Sequence, residues 1–138
     1  MSSGGELDWL LHGLTATVAG VRSAVILSPD GLALGRSASL SDNGADHLAA
    51  LAAGANSLAR SAGQRFGYGD VVQTIVELDT ALLFITPAGR GTCVALLSDS
   101  DEGTDPGQIA YEISELVKRL GQHMIANPRF PVRTASPR

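Results

Sequence analysis

The stretch Asn43-Gly-Ala-Asp46-His47-Leu48-Ala-Ala-Leu51-Ala-Ala-Gly54-Ala-Asn56-Ser-Leu58-Ala-Arg60-Ser-Ala-Gly-Gln64-Arg65-Phe66 has no charged residue between Asp46 and Arg60. Its bulk recurs three and four apart at Leu48, Leu51, Ala55, Leu58 and Ala62, the stripe of an amphipathic helix. The remaining turns are small, with Ala49, Ala53, Asn56 and Arg60 in one row and Ala50, Gly54 and Ser57 in the next. A helix that is apolar or tiny all round is covered on more than one side. The pattern therefore predicts a helix over 43–66 whose leucine stripe packs on its own core and whose small face packs on a second chain.

Outward from this helix, the chain reads as short elements with clear stops. Ser3 and Glu6 have capping-box spacing, and Leu7, Leu10, Leu11, Leu14 and Val18 follow at helical period. Gly20 ends that helix. Val21 to Ser28 is a strand whose Ala-Val-Ile-Leu run suits burial on both faces, and Ser28-Pro29-Asp30-Gly31 is a type I turn signature leading into Leu32 to Ser37. After the long helix, Gly67 and Gly69 form a stop. Val71 to Leu78, Ala81 to Thr86 and Thr92 to Ser98 then read as strands joined by tight turns, an antiparallel meander. Asp105-Pro106 opens a last helix with Ile109, Ile113, Leu116, Leu120 and Met124 as its stripe. The order is α-β-β-α-β-β-β-α, an α+β fold with a five-stranded antiparallel sheet, the central helix on one face and the terminal helices on the other. Residues 1–126 are expected to form this domain, and residues 127–138, with Pro128, Pro131, Pro137 and three arginines, a disordered tail.

Composition excludes several function classes. The chain has 138 residues, enough for one domain with a single core. Aromatic residues make up only 4%, which leaves little for a base-stacking platform. Net charge is −4 with three arginines beyond Asn127, so the body ahead of the tail is more acidic still and repels nucleic acid and anionic lipid. No apolar run reaches the roughly 20 residues needed to cross a bilayer, and the N-terminus lacks the basic and apolar regions of a signal peptide. The single cysteine, Cys93, rules out an internal disulfide and suits a reducing cytoplasm; its apolar strand marks it as a core residue.

Catalytic and metal-binding patterns are missing. Asp99, Asp101, Glu102 and Asp105 fail the calcium-loop spacing, since Thr104 and Ala110 stand where glycine and a bidentate glutamate are needed. They read as a solvated loop with Asp105 capping the last helix. His12, His47 and His123 have no ligand partner at metal spacing, and no nucleophile has an identifiable base. Gly67-Tyr-Gly69 and Gly89-Arg-Gly91 match no phosphate loop and read as a helix stop and a turn. The expectation is a protein without enzymatic activity, metal or cofactor. Arg60 and Arg65 fit either an arginine finger or a helix-end cation. Trp9 lies about 200° around the first helix from Leu7, which leaves partial burial and a docking role both open.

The residues Leu7-Asp-Trp-Leu-Leu11, Gly20-Val-Arg-Ser-Ala-Val-Ile-Leu-Ser-Pro-Asp-Gly-Leu32, the Ala/Gly helix ending in Phe66-Gly67, Gln73-Thr-Ile-Val-Glu77 and Ala110-Tyr-Glu-Ile113 together resemble the Roadblock/dynein-light-chain family, in particular its actinobacterial branch. The likeness spans about Leu7 to Met124. It implies a homodimer in which the central helices pair and the sheets join at the strand after that helix. It also implies a Ras-like small GTPase as client, which the dimer activates, recruits or scaffolds, and a histidine-kinase-like sensor in the same module. On this reading Ala49, Ala50, Ala53, Gly54, Asn56, Ser57, Val71, Gln73 and Ile75 form the dimer interface, and Asn56, Arg60 and Gln64 contact the GTPase. A profilin-, PAS- or GAF-like small-ligand sensor and a pure scaffold are the alternatives.

Overall fold

A computed structural model describes the backbone of residues 3–126 and the side chains of residues 5–122. The elements are α1 (Ser3–Thr17), β1 (Val21–Leu27), β2 (Ala33–Arg36), α2 (Asp42–Arg65), β3 (Thr74–Glu77), β4 (Ala81–Pro87), β5 (Cys93–Asp99) and α3 (Pro106–Ala126). The order of elements matches the one read from the sequence. The strands form one antiparallel sheet in the order β2-β1-β5-β4-β3. The tail from Asn127 onward, the Met124 side chain and the His123 side chain lie outside the described residues.

Each central strand feeds two cores, because successive side chains alternate across a sheet. Ala24 and Ile26 of β1, Leu82 and Phe84 of β4, and Val94 and Leu96 of β5 meet Leu7, Leu11 and Leu14 of α1 and Ile109, Ile113, Leu116 and Leu120 of α3. Val25, Leu27, Ile85, Cys93 and Ala95 meet α2 on the other face. The first core is built from large aliphatic groups and Phe84. The second is thin, with Ala45, Leu48, Ala49 and Ala52 as its helical contribution.

Local chemistry fixes the corners. Gly31 has φ +82 and donates its N–H to Ser28 O at 2.9 Å, while Ser28 N–H donates to Leu32 O at 2.9 Å, so the turn read from Ser28-Pro29-Asp30-Gly31 closes β1 onto β2. The buried Ser37 hydroxyl accepts from Ala24 N–H at 2.9 Å, and Ser37 N–H donates to Ala24 O at 2.9 Å, which extends the pairing past the end of β2. Asp8 Oδ1 accepts from Arg36 N–H at 2.7 Å and pins the start of α1 to the sheet edge. A carboxylate placed there satisfies an edge amide that water would otherwise take.

The start of α1 lies so close to β2 that a Cβ built on Gly35 would sit 2.7 Å from Leu7 Cβ. Gly35→Ala is expected to destabilise the fold by about 1–3 kcal/mol through overpacking. Gly13, exposed in mid-α1 with nothing near a built Cβ, should respond oppositely: Gly13→Ala is expected to stabilise by up to about 1 kcal/mol. Chemical denaturation midpoints of the two variants should move in opposite directions.

Candidate interaction surface

Ser41 caps α2, its side-chain oxygen accepting from Gly44 N–H at 2.9 Å. The helix ends where Phe66 N–H donates to Ala62 O and Gly67 enters the left-handed region at φ +76. Gly63 is where the chain folds back, since Tyr68 N–H and Gly69 N–H both donate to Gly63 O and a Cβ on Gly63 would meet Gly69 O. No side chain fits there.

Between these caps, α2 is rotated roughly a quarter turn from the orientation that its leucine spacing predicts. Ala45, Leu48, Ala49 and Ala52 face the sheet, while Leu51 is 67% exposed and Leu58 75% exposed. The assignment of Leu51 and Leu58 to the protomer's own core is therefore corrected. So is the assignment of Ala49 to a dimer interface, since Ala49 is fully buried inside the protomer; Ala53 is half-buried over the β1–β2 turn. The reason is distance. A Cβ on Gly31 of that turn would lie 3.3 Å from Ala53 Cβ, so the helix row above the turn has room only for methyl groups. Ala50, Gly54 and Ser57 are exposed, as a face open to a partner must be, and Asn56 is half-buried.

The α2-side face of the sheet also leaves apolar side chains partly open. Leu83 and Leu97 are partly buried against the α2-side core, and Val76 on β3 is half-buried. Phe66, Tyr68, Val72, Ile75 and Leu78 are exposed along the chain from the end of α2 through β3. Among the described residues, seven of the ten exposed large hydrophobic residues thus lie on α2 or this following segment. Scattered surface leucines are ordinary, whereas a concentration on one helix and the segment after it marks an interaction surface; Ile75, paired opposite Phe84, sits on the α1/α3 face of the sheet. Strand β3 is also a sheet edge, with one side unpaired. It starts at Thr74 rather than Val71, so Val71 and Gln73 precede the strand and Ile75 alone of those three lies within it. Val71 and Gln73 are half-buried and Ile75 is half exposed.

The proposed GTPase contacts are brought together only in part. Asn56 and Arg60 line a hollow of ≈ 320 Å³ between α2 and the β4–β5 turn, whereas Gln64 is exposed and not part of its lining. The other candidates fall into plain structural roles. Asp105 Oδ1 accepts from Gln108 N–H at 3.2 Å and caps α3, and Asp101 Oδ1 accepts from Gly103 N–H and the Thr104 hydroxyl, both at 3.0 Å. Arg22 donates to Asp99 at 3.0 Å, holding that carboxyl below its usual range and tying the end of β5 to the start of β1. Gly89 and Gly91, at φ +90 and +80, shape the β4–β5 turn together with Arg90 at φ +58. His12 and His47 are exposed, and the described residues contain no group of histidine, cysteine and carboxylate side chains arranged for a metal ion. Trp9 is 72% exposed beside an open groove lined by Asp8, His12 and Arg36, which resolves its position in favour of exposure. No helix among the described residues is long and apolar enough to cross a membrane.

Comparison with known proteins agrees with this architecture. The family model for the Roadblock/LC7 domain matches residues 7–98. A Roadblock/LC7 domain from Streptomyces avermitilis is 47% identical, superposes with a TM-score of 0.81, and the match covers 86% of this chain and 97% of that one. MglB from Myxococcus xanthus shares the fold at 15% identity and TM-score 0.81, covering 98% of this chain and 97% of that one. A further MglB structure, in a tetrameric arrangement, matches at 18% identity and TM-score 0.74 over 88% of this chain and 90% of that one. None of the curated proteins matches the sequence.

Cys93 is buried in the α2-side core, and burial pushes its thiol above the ordinary range, only partly offset by the positive field of Arg60. A raised thiol favours the folded state below the ordinary thiol pKa, and that contribution is lost as pH rises through the raised value. Stability should therefore fall on the alkaline side from about pH 8.5 upward, and Cys93→Ala should flatten that limb. Denaturation midpoints as a function of pH measure it. Alkylation of the thiol at neutral pH should require unfolding.

Proposed function

The chain belongs to the Roadblock/LC7 family, and on that premise we propose that it is a non-enzymatic homodimeric regulator that binds a small Ras-like GTPase. In this role it modulates the nucleotide cycle of the GTPase or its recruitment within a cytoplasmic signalling module. The observation that carries the dimer is the uncovered flank of α2, where Leu51 and Leu58 stand in solvent, on the same side of the sheet as the partly buried Leu83 and Leu97. Fully burying a leucine is worth about 1.5–3 kcal/mol, so two helices and two sheet faces covering each other gain several such contributions at once.

A second copy fits better than an unrelated partner. A twofold axis beside β3 would pair the free edges of two β3 strands and lay the two α2 helices side by side. In that arrangement Ala50, Gly54 and Ser57 stay at the interface as read from the sequence, with Ile75 on the paired β3 edge, and Leu51 and Leu58 join them where the buried Ala49 drops out. Asn56 and Arg60 lie on the opposite flank of α2, and with Gln64 they form a rim that remains open to a third protein. That rim is the proposed GTPase contact. A histidine-kinase-like sensor as a further member of the module rests on the resemblance alone.

Two measurements test the proposal. Leu58→Asp should convert the dimer to a monomer by light scattering while leaving the circular dichroism of the fold intact; a dimer of unchanged mass would overturn the interface. A small GTPase recovered by pull-down from the native cell should lose affinity by roughly tenfold for Arg60→Ala/Gln64→Ala, measured by titration of the nucleotide-loaded GTPase. Unchanged affinity would remove the rim from the contact.

A further inference from the structure

We propose that the hollow between the C-terminal half of α2 and the β4–β5 turn binds a small zwitterion of the α-amino-acid class. Its volume of ≈ 320 Å³ is at the lower end of small-molecule sites, and Asn56, Arg60, Asp70, Val71, Pro87 and Thr92 line it. Three of these have unmet bonding capacity. Asn56 Oδ1 is shielded from solvent and accepts no hydrogen bond. Arg60 and Asp70 border the same space, yet among the described residues neither is in an ion pair, with the other or with any third group. Opposite charges that share a hollow without meeting leave room for a ligand that carries both signs.

The sign pattern selects the ligand class. A simple anion at Arg60 would face the Asp70 carboxylate, and a simple cation at Asp70 would face the guanidinium. A zwitterion offers its carboxylate to Arg60, whose planar fork donates two parallel hydrogen bonds to it, and its ammonium to Asp70 and to the Asn56 carbonyl oxygen after a turn of the carboxamide. The apolar part of the ligand then rests against Val71 and Pro87. The turn that forms the far wall is fixed in place. Thr92 N–H donates to Gly89 O at 3.0 Å, and Gly91 is so close to Pro29 that a Cβ there would lie 2.6 Å from Pro29 Cγ.

Location keeps the site open in a dimer. Arg60 is about 200° around α2 from Leu58, so the hollow lies on the flank that the leucine patch leaves free. The inference stands on the hollow itself and is tested on the full chain alone, so its outcome is separate from that of the GTPase reading.

The test is calorimetric titration of the full chain with glycine, L-valine and L-glutamine, alongside N-acetyl-L-valine, which lacks the ammonium, and L-valinamide, which lacks the carboxylate. Saturable binding of at least one free amino acid is expected. It should weaken about tenfold or more in Arg60→Gln and in Asp70→Asn, both exposed positions, and for each half-charged analogue. The Asn56 side-chain amide signals should shift in nuclear magnetic resonance spectra on binding. Should a variant fail to fold, the two analogues carry the same comparison in the unaltered chain. No saturable binding by any of the three amino acids, binding equally strong for both analogues, or shifts that spare Asn56 would overturn the proposal.

Discussion

The closeness of α2 to the sheet governs this molecule. The inner face of the helix is one leucine among alanines, and the β1–β2 turn under it places Gly31 against Ala53. Larger inward groups would lift the helix and open voids that cores do not tolerate. Methyl-sized contacts hold the helix down, yet they bury little area each, so this layer contributes less hydrophobic stabilisation than the α1/α3 layer across the sheet. The same arrangement turns Leu51 and Leu58 outward.

The two faces of the sheet consequently have different characters. On one, α1 and α3 close a deep aliphatic core around Phe84, and Asp8 and the Gly20–Thr104 contact hold the helix ends. On the other, a single helix covers only part of the strands, leaving its own Leu51 and Leu58 exposed and Leu83 and Leu97 only partly buried. Strands β1 and β5 belong to both layers through alternate residues, so the rigid centre of the protomer is shared while one surface is finished and the other is not.

Much of this was legible in the residues. Period-two and period-3.6 patterns, the Ser28-Pro29-Asp30-Gly31 turn, the Asp105-Pro106 cap and the glycines after Phe66 were enough to order eight elements and pair the meander. The orientation of α2 was not legible, because periodicity identifies a stripe without saying which neighbour it meets. Where both faces of a helix are apolar, the deciding quantity is clearance, and that depends on the turn packed beneath it. The start of β3 was misread for a related reason: Val71, Val72 and Gln73 have strand-like composition, but the chain is still completing the reversal at Gly63 and Gly69. The hollow beside Arg60 had no sequence signal at all, since its walls come from three segments up to 36 positions apart, Asn56 to Thr92.

A thin helical layer also changes what a neighbour can read. Because the inner face of α2 is mostly alanine and the helix lies low on the sheet, a helix laid along its leucine flank would meet strand side chains as well as helix side chains. Recognition on that side is then written jointly by two kinds of secondary structure. A partner shaped to fit an isolated α2 would match half of the relief, whereas one that repeats the same step from helix down to sheet would fit the whole of it.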